Sequence, residues 1–523
     1  MPAPLLIALP DGLGVSGVAS WAVRLASALA ARGRAVALLL HPEPPAQRPV
    51  EHGIDPRVRV LHPTGLDRCG DRPGDLARPI AAYRDAARSL ACDFGGPVIL
   101  CPNLHGDCYG TAAALCLADP ELVRIVGWCH SDNGYDARVL AHYEPVISKF
   151  VAVSDRVEAE LRGLLPARHA DIANIPCGVE CPEPRATDRA TDFGSAKSVP
   201  LRLIYTGRVE HHPKRVMALV SLSDALSARG VEHSITVAGD GPAMDELRAA
   251  ADGKRIRLLG ALAPGAIPAL LADHDLFILP SRFEGLSVSM LEAMAAGCIP
   301  IVARTESGAA QVIERGWNGE IADIAPEADE EQTGRALAEA ALRALKRGLP
   351  AMSEAAAATI RERFSLGQHV ERAARLLDEA AAAPARPWPA DRPCAFTRAA
   401  AMTARDGPAA EGSGSVPPGG AEKLRAVLRQ LAGRAIVIHG AGEHTRQLAP
   451  ILADSPARIV ALADDDRAKH GKTLWGWPIL APADAAKAGA TDVVISSWMH
   501  EAAIWDRRAV YERQGLRVWR LHE

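Results

Sequence analysis

DLFILPSRFEGLSVSMLEAMAAGCIPIVA, Asp275 to Ala303, is the stretch whose reading decides the fold. Leu276 to Leu279 is an uninterrupted apolar run, the pattern of a strand buried on both faces. Pro280 and Ser281 stop it, and Arg282-Phe283-Glu284-Gly285 forms a short loop. Leu286, Met290, Ala293, Met294 and Gly297 then recur at the spacing of a helix packed on a sheet. Gly297 ends that helix, and Ile299 to Val302 reads as the next strand. Strand, loop, helix, strand is the unit of a parallel α/β sheet. Glu284 sits in its loop and Glu292 about one and a half helical turns inside the helix. Both can look over the carboxyl edge of the sheet, where open α/β sheets bind ligands. The free N–H groups of the helix start, Leu286 to Val288, offer a seat for a phosphate oxygen.

The rest of the composition bounds what such a unit can belong to. A chain of 523 residues is too long for one core, so several domains are expected. A net charge of -4 argues against a nucleic-acid partner, which would need a basic face. No apolar run approaches the roughly twenty residues that span a bilayer. The opening MPAPLLIALPDG lacks a basic leader and reads as a first strand, not a signal peptide. The ten cysteines contain no C-x-x-C pair, which fits reduced thiols in a cytoplasmic protein. The abundance of Ala, Gly, Arg and Pro suggests a GC-rich bacterial genome.

F-E-G-L, the seven-residue spacing between Glu284 and Glu292, and E-A-M-A-A-G resemble the signature of family 4 glycosyltransferases. These are retaining enzymes of the GT-B fold that use nucleotide-sugar donors. The resemblance continues along the chain. Leu5 to Leu9, the glycine-rich Asp11-Gly12-Leu13-Gly14-Val15-Ser16-Gly17, a helical Ala19 to Ala31 and a strand Val36 to Leu40 form a βαβ opening. That loop resembles the first loop of GT-B enzymes, beside donor diphosphate and acceptor, with Gly14 and Gly17 as candidates. Histidines follow two further strands, His105 and His130. The segment Trp128-Cys129-His130-Ser131-Asp132 resembles the family's His-Asp position near the reacting sugar carbon.

Residues 182–200 read as an interdomain linker. After it, the strand Leu201 to Tyr205 runs into Thr206-Gly207-Arg208 and His211-His212-Pro213-Lys214. This resembles the family's element in which Arg208 and Lys214 would grip the pyrophosphate. Fixed cations there stabilise the charge that grows on the leaving diphosphate. Gly239-Asp240-Gly241-Pro242 resembles the turn that packs under the nucleotide. Cys177 stands where the family usually has Asn, and Gln311 where it often has Glu. Helical stretches at about 328–347 and 352–382 would include the crossover helix of a GT-B enzyme.

The resemblance implies an α/β protein of GT-B fold, two facing Rossmann-like domains plus a third small Rossmann-like domain. Its parts would be an acceptor-side domain at 1–195, a nucleotide-sugar domain at 196–363 and a helix at 364–382 packing back on the first. A linker at 383–420 and an accessory domain at 421–523 would follow. Glu284, His130, Arg208 and Lys214 would act on the reaction. Gly14, Gly17, Arg208, Lys214, Gly285, Leu286, Ser287 and Glu292 would bind the donor. No metal and no cofactor are implied. The partners would be a nucleotide-sugar donor and a glycan, lipid-linked or protein acceptor, with at most peripheral membrane association.

In the accessory domain, Gly440-Ala441-Gly442 follows a strand, and Asp464 lies about twenty positions on, the geometry for a nucleotide ribose. Thr445 replaces the third glycine of the dinucleotide fingerprint, so a degenerate, ligand-free domain is an equal reading. The run His470 to Leu480 resembles Rossmann-like domains attached to sugar-modifying enzymes. Two rivals accompany the transferase reading. One is a nucleotide-dependent oxidoreductase centred on Gly440, Gly442 and Asp464; the other is a non-catalytic nucleotide-sugar sensor.

Overall fold

The computed structural model describes residues 2–14, 16–43, 52–64, 66, 76–132, 134–182, 200–304, 308–325, 328–395, 420–440, 445, 448–453, 455–466, 469–471, 473–496 and 501–521. They fall into two compact units that meet in sequence at Cys394 and Ala395.

The first unit holds two parallel sheets. In the first sheet, β1 (Leu5–Leu9), β2 (Val36–Leu40), β3 (Arg59–Leu61), β4 (Val98–Cys101), β5 (Val123–Cys129), β6 (Ile147–Ala152) and β7 (Ile172–Asn174) lie in the order β3-β2-β1-β4-β5-β6-β7. In the second, β8 (Leu201–Thr206), β9 (His233–Ala238), β10 (Ile256–Gly260), β11 (Leu276–Leu279), β12 (Ile299–Ala303) and β13 (Glu320–Ala322) lie in the order β10-β9-β8-β11-β12-β13. Every residue of β1, β2, β11 and β12 is buried. That is why those strands read as unbroken apolar runs: helices cover both faces. Each sheet is doubly wound, and its strand order reverses between its first and fourth strands. The crevice at that reversal, outside the carboxyl ends, is where such sheets hold ligands.

The long helical pattern at 352–382 is two helices, Leu349–Arg363 and Leu366–Ala382, broken at Phe364 and Ser365. The backbone there pairs with Val179: Val179 N–H donates to Phe364 O at 3.1 Å, and Leu366 N–H to Val179 O at 2.8 Å. Gly178 permits that approach, since a Cβ on it would stand 2.7 Å from Ser365 O. Helix Leu366–Ala382 then packs against the first sheet, where Asp378 pairs with the buried Arg34.

His369 of the same helix is locked from both sides. Trp21 Nε1–H donates to its Nε2 at 3.0 Å, so its Nδ1–H donates to Pro176 O at 2.8 Å. The ring is therefore neutral, and burial pushes its pKa down to about 4. An unfolded histidine takes up its proton below about 6.5 while the folded one does not. Stability contributed by this ring is thus lost as pH falls from 6.5 towards 4. The urea midpoint of the protein is expected to drop over that window, and His369→Gln to flatten part of the drop. An unchanged pH slope in the variant would contradict the assignment.

The stretch read as a linker from residue 383 is packed as far as Cys394. Trp388 is 2% exposed, against the rings of His142 and Tyr143. Arg124 Nε donates to Ala383 O at 2.8 Å and Tyr143 Oη to Cys394 O at 2.9 Å. The apolar ring of Trp388 and the backbone carbonyls find partners on the first domain, which a composition rich in Ala and Pro does not reveal. Residues 396–419, the rest of that linker, and most of the linker at 182–200 lie outside the described residues.

The second unit is a third sheet: β14 (Ala435–His439), β15 (Arg458–Ala463), β16 (Thr473–Leu474), β17 (Trp477–Leu480), β18 (Asp492–Ile495) and β19 (Arg517–Trp519), in the order β16-β17-β15-β14-β18-β19. All its pairings are parallel except β16 with β17. No described helix is long and apolar enough to cross a membrane.

Candidate active site

The order reversal of the second sheet lies between β8 and β11, so the loops after those two strands share one crevice. The first loop carries Arg208 and Lys214, the second Glu284, Gly285, Leu286 and Ser287. Lys214 Nζ lies 2.6 Å from Glu284 Oε1, with 18% and 15% of the two side chains exposed. Arg208 Nη2 lies 3.1 Å from Glu210 Oε1, and its side chain is 44% exposed. Burial pushes the Glu210 carboxyl up, against the pull of Arg208 and Lys214. The sequence therefore brings the expected cations and carboxylate together, and adds a second carboxylate, Glu210, that it did not advertise.

The Arg208 loop rests on a tight backbone layer. Tyr205 Oη donates to Arg208 O at 2.6 Å from below. A Cβ on Gly239, at φ +155°, would fall 1.8 Å from Gly207 O, and one on Gly241 2.3 Å from Val209 O. The Gly-Asp-Gly-Pro turn thus packs beneath this loop, with no chemistry required of Asp240.

Helix Val288–Ala295 starts at Ser287, whose Oγ accepts Met290 N–H at 3.3 Å. Across the crevice, helix Gly17–Ala31 starts at Ser16, whose Oγ accepts Ala19 N–H at 3.0 Å. The two starts touch: a Cβ on Gly17 would sit 3.8 Å from Val288 Cγ2, ordinary contact. Two positive helix ends from opposite halves converge here, a setting that favours an anion. Gly14 is buried in the loop between β1 and that helix. The backbone demand in that loop falls on Gly12 instead, at φ +63° with Glu43 Cγ 2.5 Å from where its Cβ would be.

At Gly285 the backbones of the two halves come together. A Cβ there would stand 2.2 Å from His130 O and 3.0 Å from Ser131 Cα. His130 thus lines the crevice opposite the Glu284 loop. Asn103 fixes its tautomer: the Asn103 amide N–H groups donate to Ala8 O and Cys101 O, leaving Oδ1 to accept from His130 Nε2 at 3.1 Å. His130 Nδ1 then carries a lone pair. Burial, with His369 nearby, pushes this ring's pKa down to about 3, so it is neutral and suited to accept a hydrogen bond rather than supply a proton. His105 stands at the residue before helix Gly106–Ala118 without a side-chain capping bond, 3.6 Å from Asp11.

Three further residues line the crevice: Asp132 and Gln311, which the sequence reading named without a site role, and Arg24, which it did not single out. Asp132, two positions after His130, has a side chain 2% exposed and 3.6 Å from Arg156 Nε. Burial pushes its carboxyl up to about 7, and Glu284 adds to the rise. Gln311 Oε1 accepts Asp155 N–H at 2.7 Å, joining the halves where the family often has Glu. Arg24 pairs with Glu292 across the crevice. Arg24 had a signal, as the one charged residue in the helix GVASWAVRLASALAA.

In the second unit, Thr445 Oγ1 donates to Ser496 O at 2.8 Å, 3.2 Å from where a Cβ on Gly440 would be. Asp464 is engaged by its own loop, through Asp466 N–H at 2.9 Å and Lys469 Nζ at 3.1 Å. Gly442 lies outside the described residues. Among the described residues no group of three His, Cys, Asp or Glu side chains is placed to hold a metal ion.

Residues 200–347 match the model of the family described as glycosyl transferases group 1. The alpha-D-kanosaminyltransferase of Streptomyces kanamyceticus is 31% identical over 121 residues, 22% of this chain and 31% of the relative. The GDP-mannose-dependent alpha-(1-6)-phosphatidylinositol dimannoside mannosyltransferase of Mycobacterium tuberculosis is 30% identical over 202 residues, 37% of this chain and 49% of the relative. The chain spans no more than about half the length of these curated relatives. Sucrose-phosphate synthase from Thermosynechococcus elongatus superposes with a TM-score of 0.57 at 17% identity, over 73% of this chain and 100% of that one. Anabaena HepE, solved with UDP-glucose, superposes at 0.53 and 17% identity, over 72% and 99%. The likeness to these structures is one of fold. The fold is GT-B.

Proposed function

We propose that the chain is a retaining glycosyltransferase of family 4 that moves a sugar from a nucleotide donor to a glycan, lipid-linked or protein acceptor. Its setting would be bacterial surface polysaccharide or glycoconjugate synthesis, in the cytoplasm. The observation that carries this reading is the meeting of Arg208, Lys214 and Glu284 in the β8–β11 crevice, within the segment that matches the family model. The donor diphosphate would lie on Arg208 and Lys214 and the two converging helix starts, displacing the carboxylates those cations now face. Glu284, with the N–H groups of Gly285 and Leu286, would hold the sugar hydroxyls, and Glu292 the ribose. His130 would accept a hydrogen bond from the sugar through Nδ1. Gly14 and Gly17 would flank the diphosphate from the acceptor side.

As the bond from the anomeric carbon to the phosphate oxygen breaks, negative charge grows on the diphosphate and the fixed cations stabilise it. The acceptor oxygen bonds to the same face of the carbon, and its proton passes to the leaving phosphate. The oxidoreductase rival gains no support from the second unit, where Thr445 bonds Ser496 and the Asp464 carboxylate is engaged within its own loop. Because side chains supply the positive charge, transfer is expected to persist in EDTA. Loss of activity on chelation, restored by magnesium or manganese, would overturn the leaving-group account.

A further inference from the structure

Arg24 and Glu292 face each other from opposite halves of the crevice. Arg24 projects from the helix after β1, Glu292 from the helix after β11, and they are 268 residues apart in sequence. The pair is partly enclosed, with 23% and 19% of the side chains exposed. Arg24 bonds through Nη2 to Glu292 Oε1, while its Nη1 is buried with no protein acceptor. A carboxylate offers about four acceptor sites on two oxygens, so this contact leaves Glu292 Oε2 open to a hydroxyl. The unsatisfied Nη1 carries N–H groups that the oxygens of a ribose seated on Glu292 could meet. A buried guanidinium donor without an acceptor is costly, so a ligand that supplies one gains that energy on binding.

We propose that Arg24 is a positioning residue of the donor site, which fixes the Glu292 carboxylate from the acceptor-side half and so couples ribose binding to closure of the crevice. This rests on the reading of Glu292 as the ribose holder. A hydroxyl bound to a carboxylate already held in place loses less freedom than one bound to a mobile side chain. The same bond lets a nucleotide seated on one half draw in the other.

Calorimetric titration with UDP, GDP and ADP selects the base the wild type binds, and that diphosphate is then titrated into the variants. Arg24→Ala should bind it roughly tenfold more weakly, the scale of a lost charged hydrogen bond. Arg24→Lys, which keeps the charge and the helix but forms one point contact, should fall between. In a Glu292→Ala background, Arg24→Ala should change affinity by less than about twofold, since coupled neighbours do not add. With donor sugar, Arg24→Ala should raise KM and also lower kcat, because closure brings the acceptor half into place. Equal or tighter binding by Arg24→Ala would overturn the proposal and make Arg24 a competitor of the ribose. Losses that multiply in the double variant would also overturn it. If the wild type binds none of the three diphosphates and releases none from a sugar donor, the glycosyltransferase reading falls with it. If the wild type turns over and the Arg24 variants match it, this inference alone falls.

Discussion

Arg208→Ala and Lys214→Ala are each expected to cut turnover at saturating donor by roughly a hundredfold or more, the scale of losing a preorganised donor to developing charge. The two losses should differ in character. Lys214 is the more enclosed cation, held 2.6 Å from Glu284 and close to the Glu210 carboxyl. Removing it takes away the charge that meets the phosphate and also strips Glu284 of its counter-ion. Arg208 is more exposed and can engage two oxygens at once, so Arg208→Lys should recover only part of the rate. Wild-type turnover in either alanine variant would remove that residue from the site.

Glu284→Gln is expected to depress kcat strongly while leaving nucleoside diphosphate binding near normal, and Glu292→Ala to do the reverse. Glu284 lies in the loop whose next residue touches His130 and would orient the reacting carbon, so its charge matters most in the transition state. The glutamine keeps the shape and frees Lys214 for the phosphate, so diphosphate affinity should hold or rise slightly. Glu292 sits on the helix under a part of the donor that does not react. Its loss removes binding common to ground and transition states and should raise the donor KM more than it lowers kcat. Calorimetry with the diphosphate separates the two. Equal losses of affinity in both variants would contradict the division of labour.

What could be read from the sequence was what neighbours in sequence decide. β11 came out at its observed bounds because four apolar residues are closed by Pro280 and Ser281, and the helix after it was found from its regular apolar spacing, though it runs only from Val288 to Ala295 because Ser287 caps it. Arg208, Lys214 and Glu284 were legible through the resemblance of their motifs, and the loops after β8 and β11 bring them to one crevice. What could not be read depends on the other half of the unit. Nothing near Arg24 names Glu292, and nothing near Phe364 names Val179, so the ion pair and the backbone pairing at the helix break were both out of reach. Asp132 closes the Trp128–Asp132 segment, but nothing in that segment signals the burial that raises its pKa. The glycines show the same limit. Gly17 meets only ordinary contact, whereas Gly285 must be bare because the backbone of His130 crosses it.

The most direct test of the central claim is release of nucleoside diphosphate from a panel of UDP-, GDP- and ADP-sugars, measured with the wild type beside Lys214→Ala. The account predicts slow release from donors of one base by the wild type, quickened by the right acceptor, and at least a roughly hundredfold slower release by the variant. Release from none of them, or release at the same rate with Lys214 gone, would contradict it.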